Sequence, residues 1–196
     1  MPTGVPLRDP RGRLLAAAAR VLVRDGAGAL TSRAVTDEAG MAKGVLHRHF
    51  AAVDDLVAAL VEERVADVER QGAELRDRAG TGTVVDTVAR ALVEAIDPVV
   101  VGLIGLALSR DGVRARLRRD GRPGLPTLPE TTVVLAAYLT AERALGRLAP
   151  DADPDALART LVGTGHLLFA GELGALPDAG AVEEVVESAL VGALRA

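Results

Sequence analysis

The sequence predicts an all-α protein, and three observations carry that prediction. The 196 residues are 49% hydrophobic but only 2% aromatic, so the core is built from Ala, Val and Leu. Ala and Leu rank high in helix propensity. Apolar residues recur at three- and four-residue spacing along most of the chain, the period of an amphipathic helix, and no stretch shows the two-residue alternation of a half-buried strand. No internal repeat or long low-complexity segment competes with a helical reading.

The first helix has Pro10 near its start, Leu14, Leu15, Ala18 and Leu22 on one face, and Gly26 as its stop. Thr31 caps a second helix, Ser32 to Ala39, ended by Gly40, because glycine accepts the left-handed conformation that closes a helix. A third helix, Ala42 to Phe50, places Leu46 and Phe50 four apart, with Met41 just before it. Asp54 and Asp55 suit the positive end of a long helix running to about Arg78. Gly80 and Gly82 mark a break. Helices over Thr83 to Ile96 and Pro98 to Leu108 follow, the second apolar nearly all round and therefore buried. A basic helix, Val113 to Arg119, leads into Gly121 to Pro129, where three prolines and two glycines forbid regular structure and predict the most mobile loop. Glu130 to Leu148 is helical, and Asp153-Pro154 supplies an N-cap and a proline at the first position of a helix running to about Phe169. In the last helix Val182, Val185, Val186, Ala189, Leu190, Ala193 and Leu194 form one apolar stripe.

Composition excludes several classes of function. With no Cys there is no disulfide framework, thiolate zinc site or cysteine nucleophile. Met1 to Pro6 is short and proline-broken, so no signal peptide is expected. The longest apolar run, Pro98 to Leu108, is about half of the ~20 residues a membrane span needs. A cytoplasmic protein with no membrane partner is expected. The formal charge of −4 is unevenly spread. Residues 1–50 hold eight Arg or Lys against four Asp or Glu, while residues 51–196 hold fifteen against twenty-three. A basic head on an acidic body is the asymmetry expected when only one part meets phosphate.

Two helices joined by a glycine-containing turn and braced by an apolar first helix match helix-turn-helix geometry, which places a recognition helix in the major groove. The stretch Gly28 to Phe50, GALTSRAVTDEAGMAKGVLHRHF, resembles the DNA-binding signature of the TetR family. In that signature a Thr-x-Arg opening leads to Ala-Gly-Val-Ser-x-Gly-x-Leu-Tyr-x-His-Phe. Thr31, Arg33, Ala39, Gly40, Gly44, Leu46, His49 and Phe50 match, and the resemblance takes in the helix at 11–25 and Asp55-Leu56. Beyond about residue 60 only the helical layout and the segment from Asp153 to Gly163 look familial. Three positions depart from the pattern: His47 stands for the tyrosine, Ala42 for the serine and Val53 for the lysine, all of which normally help to hold phosphate.

The resemblance implies a three-helix DNA-binding domain at 1–52 and a helical effector-binding and dimerisation domain at 53–196, with 53–78 as the connecting helix. It puts Arg33 and Lys43 toward base edges, where cationic groups suit the acceptors of guanine. Lys43 is the only lysine among twenty-three cationic residues. Gly44 permits close backbone approach and Val45 meets a thymine methyl, while Ser32, His47, Arg48 and His49 face phosphate and fix register. Leu46 and Phe50 are core. The implied partners are a double-stranded, palindromic operator, a second copy of the chain and a small-molecule effector, with repression favoured over activation.

In the implied body the last two long helices pair across a two-fold axis through Leu157, Leu161, Val182, Val185, Val186, Ala189, Leu190, Ala193 and Leu194. The stripe independently asks for a mate, which is the helix from Pro154 in the same or the other chain. The expected pocket has an apolar wall of Val101, Leu103, Ile104 and Leu106, with Tyr138, Glu142, Thr164, His166 and Phe169 as polar or shape-setting groups. So few aromatics predict a mainly aliphatic effector.

Catalytic and metal chemistry find no foothold in the sequence, and no cofactor is expected. His47 and His49 are two apart and point about 200° apart on a helix, so they cannot share a metal. His166 stands alone on an apolar helix. Asp151, Asp153 and Asp155 have calcium-loop spacing, but Pro154 and the missing later Gly and Glu break that pattern. Gly163-Thr-Gly165 lies inside a helix rather than after a strand, so no dinucleotide loop is expected. The competing reading is a helical interaction protein with a degenerate helix-turn-helix, which would show no salt-dependent duplex binding.

Overall fold

The computed structural model describes residues 9–122, 124–171 and 177–195, and among these the chain forms ten α-helices and no strand. The expectation at Met1 to Pro6 lies outside the described residues, as does Pro123 of the proline-rich segment. No single helix among the described residues is long and apolar enough to cross a membrane. By internal contacts the chain divides into two compact units. One runs to Glu62 and takes in the stretch from Gly102 to Pro123; the other holds Glu63–Val101 and the chain from Gly124 onward. The units are thus not consecutive in sequence, whereas the sequence-based boundary treats 53–196 as one body.

The first unit opens with α1 (Pro10–Asp25), α2 (Ser32–Glu38) and α3 (Gly44–His49). Asp9 caps α1, its Oδ1 accepting from the Gly12 N–H at 2.9 Å, and Thr31 caps α2, its Oγ1 accepting from the Ala34 N–H at 3.1 Å. At the turn, Gly40 takes φ +64°. There the N–H groups of Gly40 and Met41 return to the carbonyls of Asp37 and Thr36, which satisfies two orphan carbonyls and ends α2 sharply. Leu14, Leu15, Ala18, Leu22, Leu30, Val35, Met41, Leu46 and Phe50 are buried, so α3 is docked by its apolar face. The helix α3 is shorter at both ends than the sequence suggests. The unit also holds the start of α4 (Val53–Asp77), the end of α6 (Pro98–Ser109) and α7 (Asp111–Arg119). Gly102 lets α6 close on α1, since a Cβ there would lie 2.7 Å from Leu22 Cγ.

The second unit packs the rest of α4 with α5 (Val84–Ala95), α8 (Leu128–Ala144), α9 (Pro154–Gly171) and α10 (Ala179–Leu190). Its core joins Leu92 and Ile96 with Leu135 and Leu139, Leu161 and Phe169, and Val182, Val186 and Leu190. Caps again set the starts. Thr83 Oγ1 accepts from the Asp86 N–H at 3.0 Å, and Asp153 Oδ1 accepts from the N–H groups of Asp155 and Ala156 at 3.0 and 3.1 Å.

Three boundary expectations are corrected. Pro129 lies in the first turn of α8, where its missing N–H is no loss, so the irregular stretch ends earlier than expected. The other end of α8 is Ala144 rather than Leu148, because Gly146 takes φ +78°. The N–H groups of Gly146 and Arg147 bond back to Arg143 and Glu142, closing the helix. The last helix stops at Leu190, so Ala193 and Leu194 are not helical. They return beside the turn after α8 instead: Leu194 bridges Leu148, and the Ala149 N–H donates to the Ala193 carbonyl at 2.8 Å.

Candidate nucleic-acid interface

The capped start of α2 and the start of α3 converge on one shallow hollow, lined by Ser32, Arg33, Thr36, Lys43, Gly44 and His47. Five of these are residues the sequence singles out. Thr36 is the addition: it is buried, and its hydroxyl donates to the Ser32 and Arg33 carbonyls at 2.9 and 3.1 Å, bracing the first turn of α2. Arg33, Lys43, Gly44, His47, Arg48 and His49 are exposed, whereas Val45 is half-buried. Arg48 and His49 follow on α3 outside the hollow, and Leu46 and Phe50 are buried as expected.

The structure also sorts the basic residues of this unit by what they are free to do. Arg20 and Arg24, one helical turn apart on α1, both hold Glu38 of α2 at 2.7 Å. Hydrogen bonds from Arg20, then Arg24, keep the Glu38 carboxyl below its usual range. Arg13 donates to the Ala39 carbonyl at 2.9 Å, and the Arg11 guanidinium sits 5.4 Å above the Phe50 ring. Arg33 reaches Asp37 at 3.5 Å, a loose and exposed pair that a stronger anion displaces at little cost. Among the described residues Lys43 and Arg48 enter no ion pair. Much of the basic excess of the head is therefore structural, and what remains for an outside anion is Arg33 on α2, Lys43 just before α3 and Arg48 on α3.

Arg110, which sequence reasoning missed, helps to fix this face. Its Nη2 donates to the Leu30 carbonyl at 3.0 Å, just before the Thr31 cap, while Nη1 lies 3.8 Å from Asp54 Oδ1 at the start of α4. Nothing local marks Arg110, because its partners are eighty and more than fifty residues away in sequence. The paired arginines on α1 did leave a signal, the i, i+4 spacing of Arg20 and Arg24.

The second unit contains a narrow cleft of about 30 Å³ between α4, α5 and α8. Its walls are Val68, Leu75, Ala91, Ala95, Val134 and Leu135, with Thr87 and Thr131 among them and Gln71, Glu74, Arg78, Arg90 and Glu94 around the mouth. None of the nine residues expected to form a pocket lines it. Leu103, Ile104 and Leu106 fall in the first unit and are buried there, so α6 is apolar all round because it is consumed by packing. Val101 packs half-buried against the core of the second unit, and Phe169 is part of that core. Thr164 and His166 sit half-buried on α9.

Tyr138 and Glu142, each 0% exposed, belong instead to a buried polar group. Glu142 Oε1 accepts from the Gly80 N–H at 3.1 Å, and Oε2 lies 3.2 Å from Arg147 Nη1, which ties the turn after α4 to the turn after α8. The phenol of Tyr138 makes no well-formed hydrogen bond. Burial first, and then the neighbouring Glu142 carboxylate, pushes its ionisation well above the ordinary tyrosine range.

Of the nine residues expected at a subunit seam, five are buried within the chain and four are half-buried. Leu161, Val182, Val186, Leu190 and Ala193 are buried in the chain's own core, and Leu157, Ala189 and Leu194 pack against it. Val185 is half-buried. The stripe finds α9 of the same chain, one of the two mates left open, and also α5, which the sequence did not suggest. The apolar side chains still exposed on these helices are Leu167 at 72% and, just past α10, Val191 at 75%.

Fold and face together define a helix-turn-helix protein with an all-helical body. Residues 14–60 match the model of the bacterial regulatory proteins of the tetR family. The chain is similar to a TetR-family transcriptional regulator from Agrobacterium tumefaciens, with 18% identity, 94% and 97% of the two chains covered and a TM-score of 0.71. It is likewise similar to a transcriptional regulator from Rhodococcus sp., at 22% identity, 94% and 97% coverage and a TM-score of 0.63. A protein studied for the control of antibiotic production by a bacterial hormone is 26% identical over 94% and 97% of the chains, with a TM-score of 0.66. No curated protein matches in sequence. The N-terminal segment is therefore a TetR-family domain, carried on a chain with the fold of that family's regulators.

Proposed function

We propose that the protein is a ligand-responsive transcriptional regulator, a repressor that binds a palindromic operator as a homodimer in the cytoplasm. The observation that carries the reading is the face of α2 and α3, where Ser32, Arg33, Lys43, Gly44 and His47 line one hollow and exposed Arg48 follows on α3. In this reading Lys43 and Arg33 read base edges, and Ser32, His47, Arg48 and His49 fix register on phosphate. Val45 touches a thymine methyl only from its half-buried position.

The effector enters the cleft between α4, α5 and α8. Because α4 contributes residues to both units, a ligand that prefers one arrangement of α4 shifts the population toward it. Small organic ligands are recorded for similar proteins: SmeT in complex with triclosan, and the multidrug-binding protein EbrR with imidazole. The dimer uses the outward faces of α9 and α10, where Thr160, Gly163 and Leu167 on one and Glu184, Ser188 and Val191 on or beside the other are spaced for a flat contact.

The test is selection of duplex DNA from a random pool, followed by binding of the winner across a salt series. An inverted repeat bound by dimers with a steep salt slope is expected. Arg33→Ala and Lys43→Ala should each weaken specific binding by about 1–3 kcal/mol and non-specific binding far less. No enrichment at low salt would overturn the reading in favour of a helical interaction protein.

A further inference from the structure

We propose that Arg110 is a positioning residue for sequence discrimination: it ties the entry to α2 to the exit from α3, so that the reading head is completed by a segment far from it in sequence. The inference rests on the regulator reading above and names what keeps its base-reading side chains in place.

The helices α2 and α3 have seven and six residues. Helices so short do not persist alone in water, so contacts outside the pair decide where they lie. The Gly40 turn joins them at one end. At the other end the chain enters α2 through Leu30 and Thr31 and leaves α3 through Phe50 into α4, whose first turn holds Asp54 and Asp55.

Arg110, between α6 and α7, grips both of these points within the first unit. Its Nη2 donates to the Leu30 carbonyl at 3.0 Å and to the Ala27 carbonyl at 3.4 Å, and its Nη1 lies 3.8 Å from Asp54 Oδ1. Asp54 also abuts the first turn of α7, where a Cβ at Gly112 would collide with its carboxylate. One turn further on, Arg116 Nη1 meets Asp55 Oδ1 at 3.2 Å, while Asp55 Oδ2 accepts from the Ala52 N–H at 3.0 Å.

A guanidinium suits this place because its nitrogens form a planar fork that serves two acceptors at once, which the single ammonium of lysine does not reproduce. Arg110 and Asp54 are both partly exposed, and an ion pair of that kind adds little stability. Removing the guanidinium therefore shifts Ser32 and Arg33 relative to Lys43 and His47 across the hollow before it unfolds the unit. Contacts to base edges depend on exact two-point geometry, whereas phosphates repeat along the backbone, so the shift costs discrimination more than it costs general affinity.

The experiment measures binding of the full chain to its selected duplex and to a shuffled duplex of the same composition, across a salt series. Stoichiometric titration gives the binding-competent fraction, so that lost folding is not read as lost affinity. Arg110→Ala is expected to weaken binding to the selected duplex about tenfold and to the shuffled one less than about twofold. Its salt slope should not change, because no phosphate contact is lost. Arg110→Lys keeps the charge without the fork and should lose nearly as much. Asp54→Asn removes only the charge of one partner, should cost about threefold, and should cost nothing more once Arg110→Ala is in place. It also carries the test if Arg110→Ala does not fold.

Equal losses on both duplexes with a shallower salt slope would make Arg110 a phosphate contact and overturn the proposal. Full affinity in Arg110→Lys would do the same by making charge sufficient, as would a reduced competent fraction with unchanged affinity, which marks a role in folding alone. If the wild-type chain selects no duplex, the regulator reading falls and this proposal with it. Selection by the wild type with discrimination unaltered in Arg110→Ala and Asp54→Asn overturns this proposal alone.

Discussion

Gly72→Ala sets two effects of similar size against each other. Gly72 lies inside α4, where alanine favours a helix by about 1 kcal/mol. A Cβ at this position would stand 2.5 Å from Val134 Cγ2, 3.0 Å from Cγ1 and 3.3 Å from Cβ on α8. Carbon pairs rest at about 3.5–4.0 Å, so α4 and α8 must part by roughly 1 Å. Rotating Val134 gives little relief, because both methyls are close and a helical valine holds one χ1 rotamer about 90% of the time. Overpacking of this kind costs about 1–3 kcal/mol. Gly72→Ala alone should therefore leave stability unchanged or lower it by up to about 2 kcal/mol. With Val134→Ala already in place the same substitution should stabilise by about 1 kcal/mol. Urea denaturation of the four proteins at one concentration closes the cycle, with a coupling of about 1–3 kcal/mol expected. Equal stabilisation by Gly72→Ala in both backgrounds would refute the contact.

Three further outcomes are expected. Arg147→Ala leaves the Glu142 carboxylate buried without its cation and should destabilise by about 3–5 kcal/mol in denaturant unfolding, with Glu142→Gln restoring part of that loss. Tyr138→Phe removes a buried hydroxyl that makes no well-formed bond, so it should be neutral or stabilising by up to about 1 kcal/mol, and a loss above about 2 kcal/mol would mean that the hydroxyl is used. The folded carboxyl of Glu38 ionises below its unfolded value, so its contribution is present above the ordinary glutamate range and fades as pH falls through the folded one. Glu38→Gln should accordingly flatten the acid limb of a stability profile for the first unit, and an unchanged limb would place that pH dependence elsewhere.

What the sequence determined by itself is whatever local chemistry decides. A helix start depends on a side-chain oxygen within three residues of an orphan N–H, so Thr31 and Asp153 were legible as caps. The Gly40 turn, the buried Leu46 and Phe50, and the exposure of Lys43 and Arg48 were legible for the same reason, helped by a resemblance concentrated in those residues. Gly146 carried an equally local stop signal that the apolar period running to Leu148 concealed.

Only the tertiary structure decided which surface each apolar face meets. Periodicity states that the stripe from Val182 needs cover, and α5 and α9 of the same chain supply it. A cleft is the space that packing leaves, so it followed from small and short side chains on α5 facing α4 and α8, and the apolar run of α6 did not reveal it. The division of arginines between structure and ligand was hidden likewise, since whether a guanidinium is free depends on partners such as Glu38, Asp54 and Glu142. Glu38 and Asp54 are brought near their arginines by packing between helices, and Glu142 meets Arg147 through the turn that Gly146 closes, so spacing along one helix encodes none of these pairs.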